Sequence, residues 1–390
     1  MKIKRILALF TAAILLSGVL LVSAGCTPKA DASYIITANG EKYPVEPYLF
    51  YLRWMHDYYY AFAQEVADAN KQSVNWTKVL ASTDLTAPLT LSEYLVSSAK
   101  SSYLTYVVVN KVFRELGLSL TQEQWDEVDQ IIQKDWVMVY GQDGFNSLRN
   151  ELHMSWEEFR DLMAVQKKSD AIIQYYYGTG GELEISEEEM KDYFEEKYAR
   201  FKYIVLMTKD DKDKDLSEEE LAQKKETRDT VLARLEEGAA FEDLIREYSE
   251  DYVRDTSDLT TAEKESAEKQ NTMVTEDGLV TNTDGVFDSA LATYYSIKVD
   301  TDVVDKVFTI KEGEYTTVEI DDSIWIVKRY STGEKEEYFE SAREDCFSAL
   351  YASDLNTKFT KWTAELNYAY NDAALTTYAP ENLTVLFRFQ

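Results

Sequence analysis

Apolar residues recur at helical spacing through the first half of the chain and then give way to short continuous runs. Tyr48, Leu52, Met55 and Tyr59 lie three or four positions apart, so 45–69 predicts a helix with one apolar face. Residues 73–90 lose that period and contain Pro88, which marks a loop. From Leu91 to Leu116 the helical pattern resumes, and it stops at Gly117, a residue suited to the left-handed cap. Three more helices are announced by their first residues. Thr121 with Gln124, Ser155 with Glu158 and Ser186 with Glu189 each have the spacing of a capping box. The second of these should reach Tyr177 and the third Arg200. Ahead of them all, 34–43 reads as two strands around Asn39-Gly40, a pair that accepts positive φ at both central turn positions.

The second half is patterned differently. Phe201-Lys-Tyr-Ile-Val-Leu-Met207 predicts a strand, Leu216 to Glu237 a charged amphipathic helix, and Phe241 to Tyr248 a second helix. Residues 252–285 are rich in Thr, Ser, Asp and Glu with almost no apolar period, which predicts a surface insertion. Val304 to Tyr315 should pass from helix to strand around a turn at Gly313, and Val318 to Tyr330 should supply the final strands. A last helix follows from Glu334 to about Leu366. Its apolar stripe holds Phe339, Ala342, Cys346 and Leu350, so Cys346 is expected to be a buried structural thiol. Leu383 to Phe389 reads as a strand that pairs with the N-terminal hairpin. The predicted class is α+β.

Composition sharpens this picture. At 390 residues, with 14 Gly and 5 Pro, the chain is long enough for several ordered domains. A net charge of −30 repels phosphate backbones and anionic head groups, which excludes nucleic acid as a partner. Lys2, Lys4 and Arg5 precede an uncharged run from Ile6 to Val22 and the small residues Ser23-Ala24-Gly25. That is the layout of a secretory signal in 1–25, followed by a tether in 26–33. A plain signal peptide or an uncleaved anchor has the same layout, since the run approaches the roughly 18 to 20 residues that span a bilayer. The segment ending at Cys26 resembles a bacterial lipobox, which implies lipid attachment at Cys26 and an extracytoplasmic, membrane-anchored protein. With Cys26 lipidated, Cys346 has no disulfide partner.

Four segments carry a wider resemblance: Ala38-Asn-Gly-Glu-Lys-Tyr-Pro-Val-Glu46, Leu116-Gly-Leu-Ser-Leu-Thr-Gln-Glu-Gln124, Met154-Ser-Trp-Glu-Glu-Phe-Arg160 and Ile185-Ser-Glu-Glu-Glu-Met-Lys-Asp-Tyr-Phe194. In this order they resemble the N-terminal domain of the SurA and PrsA foldases. Residues 201–331, with Leu235-Glu-Glu-Gly-Ala-Ala-Phe-Glu-Asp-Leu-Ile-Arg-Glu-Tyr-Ser-Glu-Asp251 after the first strand, resemble a parvulin (PpiC-type) peptidyl-prolyl isomerase. The resemblance implies a helical chaperone domain over 34–200, a parvulin-like domain over 201–331, and a helix and tail over 332–390 that return to the N-terminal domain.

It also places the two strand histidines of parvulins at Tyr203 and Trp325. Rotation about an X-Pro bond meets a barrier of about 20 kcal/mol, so an isomerase needs an apolar cup and polar groups that stabilise the twisted amide. A phenol can donate a hydrogen bond, whereas an indole donates and never accepts. The only histidines, His56 and His153, belong to the first half. The expected function is a lipid-anchored foldase or holdase for unfolded or newly exported polypeptides, its parvulin domain of low or no isomerase activity. An active isomerase and a surface peptide- or solute-binding lipoprotein are the alternatives.

No cofactor or metal is expected. Asp211-Lys-Asp-Lys-Asp215 begins like a calcium loop, but Leu216 and Ala222 occupy the positions of its glycine and bidentate glutamate. The runs Tyr58-Tyr-Tyr60, Tyr175-Tyr-Tyr177 and Tyr294-Tyr295 cannot each face one core, because neighbours on a helix point about 100° apart. Some of these rings should be exposed, and exposed tyrosines suit unfolded chains.

Overall fold

The structure, a computed structural model, describes residues 31–62, 67–68, 73–80, 89–210, 212, 214–282 and 299–387. The signal segment 1–25, Cys26, Asp211, Asp213, Tyr294 and Tyr295 lie outside the described residues. The protein is α+β, and its chain divides into two compact units. One holds the residues up to Glu184 together with those from Ala352 onward, and the other is Ile185–Tyr351.

In the first unit, β1 (Tyr34–Ala38) and β2 (Glu41–Pro44) form the hairpin. Asn39 at φ 51° and Gly40 at φ 85° make its turn, as the sequence requires. The third strand of this sheet is β9 (Tyr368–Tyr370), antiparallel to β1. The expectation that 383–389 would pair with the hairpin is therefore corrected. Tyr368 and Tyr370 pack with Trp362 against the core under the hairpin, whereas Leu386 and Phe387 donate their backbone N–H groups to a side chain, Asp57. Arg388 and Phe389 lie outside the described residues.

Helix α1 (Glu46–Phe62) follows the hairpin, and it is shorter than the run to 69 because β3 (Ala67–Asp68) pairs with β4 (Ser73–Val74). Helix α2 (Leu91–Glu115) buries Leu91, Leu95, Ala99, Tyr103 and Val107, one residue per turn, against α1 and the hairpin. It ends at Gly117, φ 66°. Helices α3 (Gln122–Ile132) and α4 (Met138–Glu151) are joined by a π-helical turn at Gln133–Val137, then come α5 (Trp156–Met163) and α6 (Val165–Tyr177). The boxes at Thr121 and Ser155 form as expected.

The second unit opens with α7 (Glu187–Lys197), boxed by Ser186 and Glu189, and runs straight into β5 (Tyr198–Met207). Then follow α8 (Glu218–Glu236), α9 (Phe241–Tyr248), α10 (Thr261–Thr272), a π-helical turn at Met273–Asp277 and β6 (Leu279–Asn282). Helix α11 (Thr301–Thr309), β7 (Tyr315–Ile320) and β8 (Ser323–Tyr330) complete a wholly antiparallel sheet of order β6-β5-β8-β7. Helix α12 (Glu336–Glu365) contains the division at 351/352. Met190, Phe194 and Tyr198 pack with Tyr338, Phe339, Ala342 and Cys346. For this reason α7 and the first turns of α12 group with the sheet, and the units divide at 184/185 and 351/352 instead of 200/201 and 331/332. Cys346 is fully buried, and burial raises its thiol pKa to about 11.

The expected surface insertion at 252–285 is overturned over its described second half. Met273, Val274 and Leu279 are core residues, and β6 pairs with Tyr198 to Phe201. Two buried cations of β5 stitch this segment down. Arg200 donates to the carbonyls of Glu276 and Asp277, and Lys202 to that of Thr275 at 2.8 Å. The apolar pieces were too short to show a period within a polar stretch.

Candidate functional site

Strand β5 is buried along its length up to Leu206, with alternate residues on opposite faces of the sheet. Tyr203 lies opposite Val327 and Val205 opposite Trp325. Tyr203 and Trp325 are therefore diagonal neighbours on one face. Their rings sit 4.8 Å apart at 43°, with 0% and 5% of each residue exposed. The sequence resemblance and the structure thus bring the same two residues together, buried in the core of the second unit.

The edge of β5 beyond the reach of β6 is closed by the residues after α9. Glu250 N donates to Val205 O at 2.9 Å, and Val205 N donates to Ser249 Oγ at 3.1 Å. This places Asp251 over the pair. Tyr203 Oη donates to Asp251 Oδ2 at 2.6 Å, and Ser249 Oγ donates to Asp251 Oδ1 at 2.6 Å. Burial pushes the Tyr203 phenol well above its ordinary pKa, and the neighbouring Asp251 charge adds to the effect. Burial also raises Asp251, partly offset by the bonds from Ser249 and Tyr203. Trp325 Nε1 donates to Ser323 Oγ at 2.9 Å, and Ser323 Oγ donates to Asp322 Oδ1 at 2.8 Å.

Chemically the pair is closed. Tyr203 stays a neutral phenol whose O–H donates a hydrogen bond to Asp251, and the indole N–H of Trp325 donates to Ser323. Helix α11 meets the same face. Arg329, opposite Phe201 in register, stands over the Phe308 ring at 5.7 Å and donates to Ile310 O at 3.0 Å. Val303, Val304 and Val307 of α11 join the core that holds Trp325. Sequence reasoning missed Asp251, Ser249 and Ser323. The one available signal was Ser-Glu-Asp directly after the α9 pattern, three polar residues where the chain turns back to the sheet.

The first unit carries a second candidate. An open groove of about 550 Å³ is walled by Tyr43, Tyr103, Tyr106, Phe113 and Trp125, with Lys168 among its lining residues. Lys168 is 5% exposed, donates to Asn110 Oδ1 at 2.6 Å and forms an ion pair with Asp161. The tyrosine runs divide as their spacing requires. Tyr58 and Tyr60 are about half exposed while Tyr59 packs on the core, and Tyr175 is exposed while Tyr177 is buried, its hydroxyl donating to Asp354 at 2.6 Å. His56 is buried beside Asp57, and His153 follows α4 at φ 56°. Among the described residues no cluster of His, Cys, Asp or Glu could hold a metal ion, and no helix is long and apolar enough to cross a membrane.

Fold and site together define an α+β protein: a helical unit with a small sheet, and an antiparallel four-stranded sheet whose central face is filled by aromatic rings. No protein-family model matches the chain, and no curated protein matches it. Among solved structures it is similar to PrsA from Bacillus subtilis, at 18% identity over 75% of this chain and 92% of that one, with a TM-score of 0.22. It is also similar to the foldase protein PrsA from Streptococcus pneumoniae (15% identity, 78% of this chain and 99% of that, TM-score 0.31). A third is foldase protein PrsA from Lactococcus lactis (15%, 88% and 97%, TM-score 0.28). With superposition scores this low, function has to be read from this chain's own side chains.

Proposed function

We propose that the chain is an extracytoplasmic foldase or holdase, anchored through a lipidated Cys26, that binds unfolded and newly exported polypeptides. Its parvulin-like unit has little or no isomerase activity. The observation that carries this reading is the filled sheet face. Where a prolyl ring would need a cup and a twisted amide would need a free donor, Tyr203 and Trp325 pack on one another with both polar hydrogens spent inside the protein. Client binding falls instead to the helical unit, whose aromatic groove offers rings that cost little entropy to order. Bound apolar segments are shielded there while the client folds, and the −30 charge keeps loaded complexes apart. The domains in this reading are a tether at 26–33, a chaperone unit that runs to Glu184 and resumes at Ala352, and a parvulin-like unit over Ile185–Tyr351.

Light scattering from an unfolded exported client tests the chaperone activity. Stoichiometric protein should suppress aggregation, and scattering identical to the client alone would refute the proposal. Mass spectrometry of the mature N-terminus tests the anchor: a diacylglyceryl adduct on Cys26 is expected, and an unmodified cysteine would remove it.

A further inference from the structure

Residues 383–387 belong to no helix or strand, yet Phe387 is 1% exposed. What holds the segment is a side-chain device on α1. Phe50, Trp54 and Asp57 lie four and then three positions apart, so they share one face of that helix. The Phe387 ring enters a box of Phe50, Trp54 and Trp136, with centroids 5.7, 5.4 and 5.7 Å away. Phe159 closes the box behind Phe50, 5.8 Å from it. Asp57 Oδ2 accepts the backbone N–H of Leu386 at 2.7 Å and that of Phe387 at 2.6 Å. Its other oxygen is held 2.5 Å from His56 Nδ1, and the His56 ring stacks on Trp76 at 4.6 Å. Upstream, Arg53 donates a long bond to Thr384 O at 3.4 Å, and Val385 is 48% exposed.

We infer that this aromatic box and the Asp57 carboxylate form a binding site for a short peptide segment, an aliphatic residue followed by an aromatic one, which the chain fills here with its own Leu386-Phe387. A carboxylate that grips two successive peptide N–H groups reads main chain, which every polypeptide carries, and the box reads a single ring. No strand ladder fixes the segment in place, so a second segment of the same pattern can replace it without unzipping a sheet. The site is thus a masked client site: its own segment excludes weak ligands and yields to those that present a better anchor. The proposal rests on the polypeptide-binding reading above and adds a site other than the aromatic groove, with its ligand pattern and its occupant at rest.

The probe is a fluorescein-labelled peptide of sequence Leu-Thr-Val-Leu-Phe-Arg-Phe-Gln, titrated by anisotropy into the full chain and into a chain shortened to end at Asn382. The shortened chain should bind at least tenfold more tightly than the full chain, and Asp57→Ala in it should weaken binding at least tenfold. Unlabelled peptides with different flanks that keep the Leu-Phe pair should compete, and the same peptides with Phe replaced by Ala should not. If circular dichroism finds the shortened chain unfolded, Phe387→Ala in the full chain carries the test and must bind the probe at least tenfold more tightly than the unaltered protein. Absence of binding to the folded, opened variant, or competition by the native sequence alone, would overturn the inference. Client aggregation, measured in parallel, separates the two readings: peptide binding without suppression sinks the chaperone function, and suppression without peptide binding sinks this site.

Discussion

Asp251 in the second unit and Asp57 in the first both collect hydrogen bonds on both oxygens, but they spend them on different things. Asp251 takes the hydroxyls of Tyr203 and Ser249 and so ties a side chain of β5 to the end of α9. Asp57 takes one imidazole and two backbone N–H groups of a segment more than three hundred residues away. The first arrangement is private, because only a tyrosine at that place in β5 satisfies it. The second is general, because any peptide backbone satisfies it. This contrast gives rigidity to the sheet face of the second unit and, on the function proposed above, recognition to the helical unit.

The largest test of the rigid side is removal of 252–285. Without Met273, Val274, Leu279 and the carbonyls that accept from Arg200 and Lys202, the second unit should lose its cooperative melting transition in near-UV circular dichroism. An unchanged transition would return the segment to the status of a surface insertion. Next come two aromatic truncations that set the regions against each other. Trp325→Ala should cost about 3–5 kcal/mol in urea unfolding, as a ring removed from a rigid core does. Phe387→Ala should fall below roughly 3 kcal/mol, the lower edge for such truncations, because its segment can open locally. Equal costs would erase the distinction.

A smaller effect isolates the phenol. Tyr203→Phe keeps the ring contact with Trp325 and removes the donor to Asp251, at about 1–3 kcal/mol in the same assay. A neutral result would mean that Asp251 is solvated well enough to manage without it. The smallest effect is the pH dependence of Asp251. Burial lifts its folded pKa above the ordinary aspartate value of 3.8, so the folded form holds the proton more tightly than the unfolded one. Its contribution is present in full below pH 3.8 and is lost as pH rises through the raised folded value. Relative to Asp251→Asn, the unaltered protein should lose stability across that interval; parallel curves would show that the carboxyl is not coupled to folding.

How much of this was legible in the sequence depended on the range of the interactions. The caps at Thr121, Ser155 and Ser186 were readable because donor and acceptor sit three residues apart. Tyr203 and Trp325 were readable as a pair because strand alternation and one family resemblance fix both positions. Asp251 was not, since nothing local says that the chain after α9 runs back along β5. The device at Asp57 left even less trace. His56 and Asp57 are adjacent on a helix, and their ligand comes from the far end of the chain. The exchange of 383–389 for Tyr368 to Tyr370 as the third strand has the same origin: both runs are apolar and aromatic, and only tertiary contacts choose between them.

The proposal stands or falls on the sheet face of the second unit being packed and not catalytic. Proline-limited refolding of a model substrate, followed with and without the full chain at equimolar concentration, tests it most directly. The rate of the slow phase should be unchanged. Acceleration of that phase, abolished by Asp251→Ala in a protein that still melts cooperatively, would contradict the account.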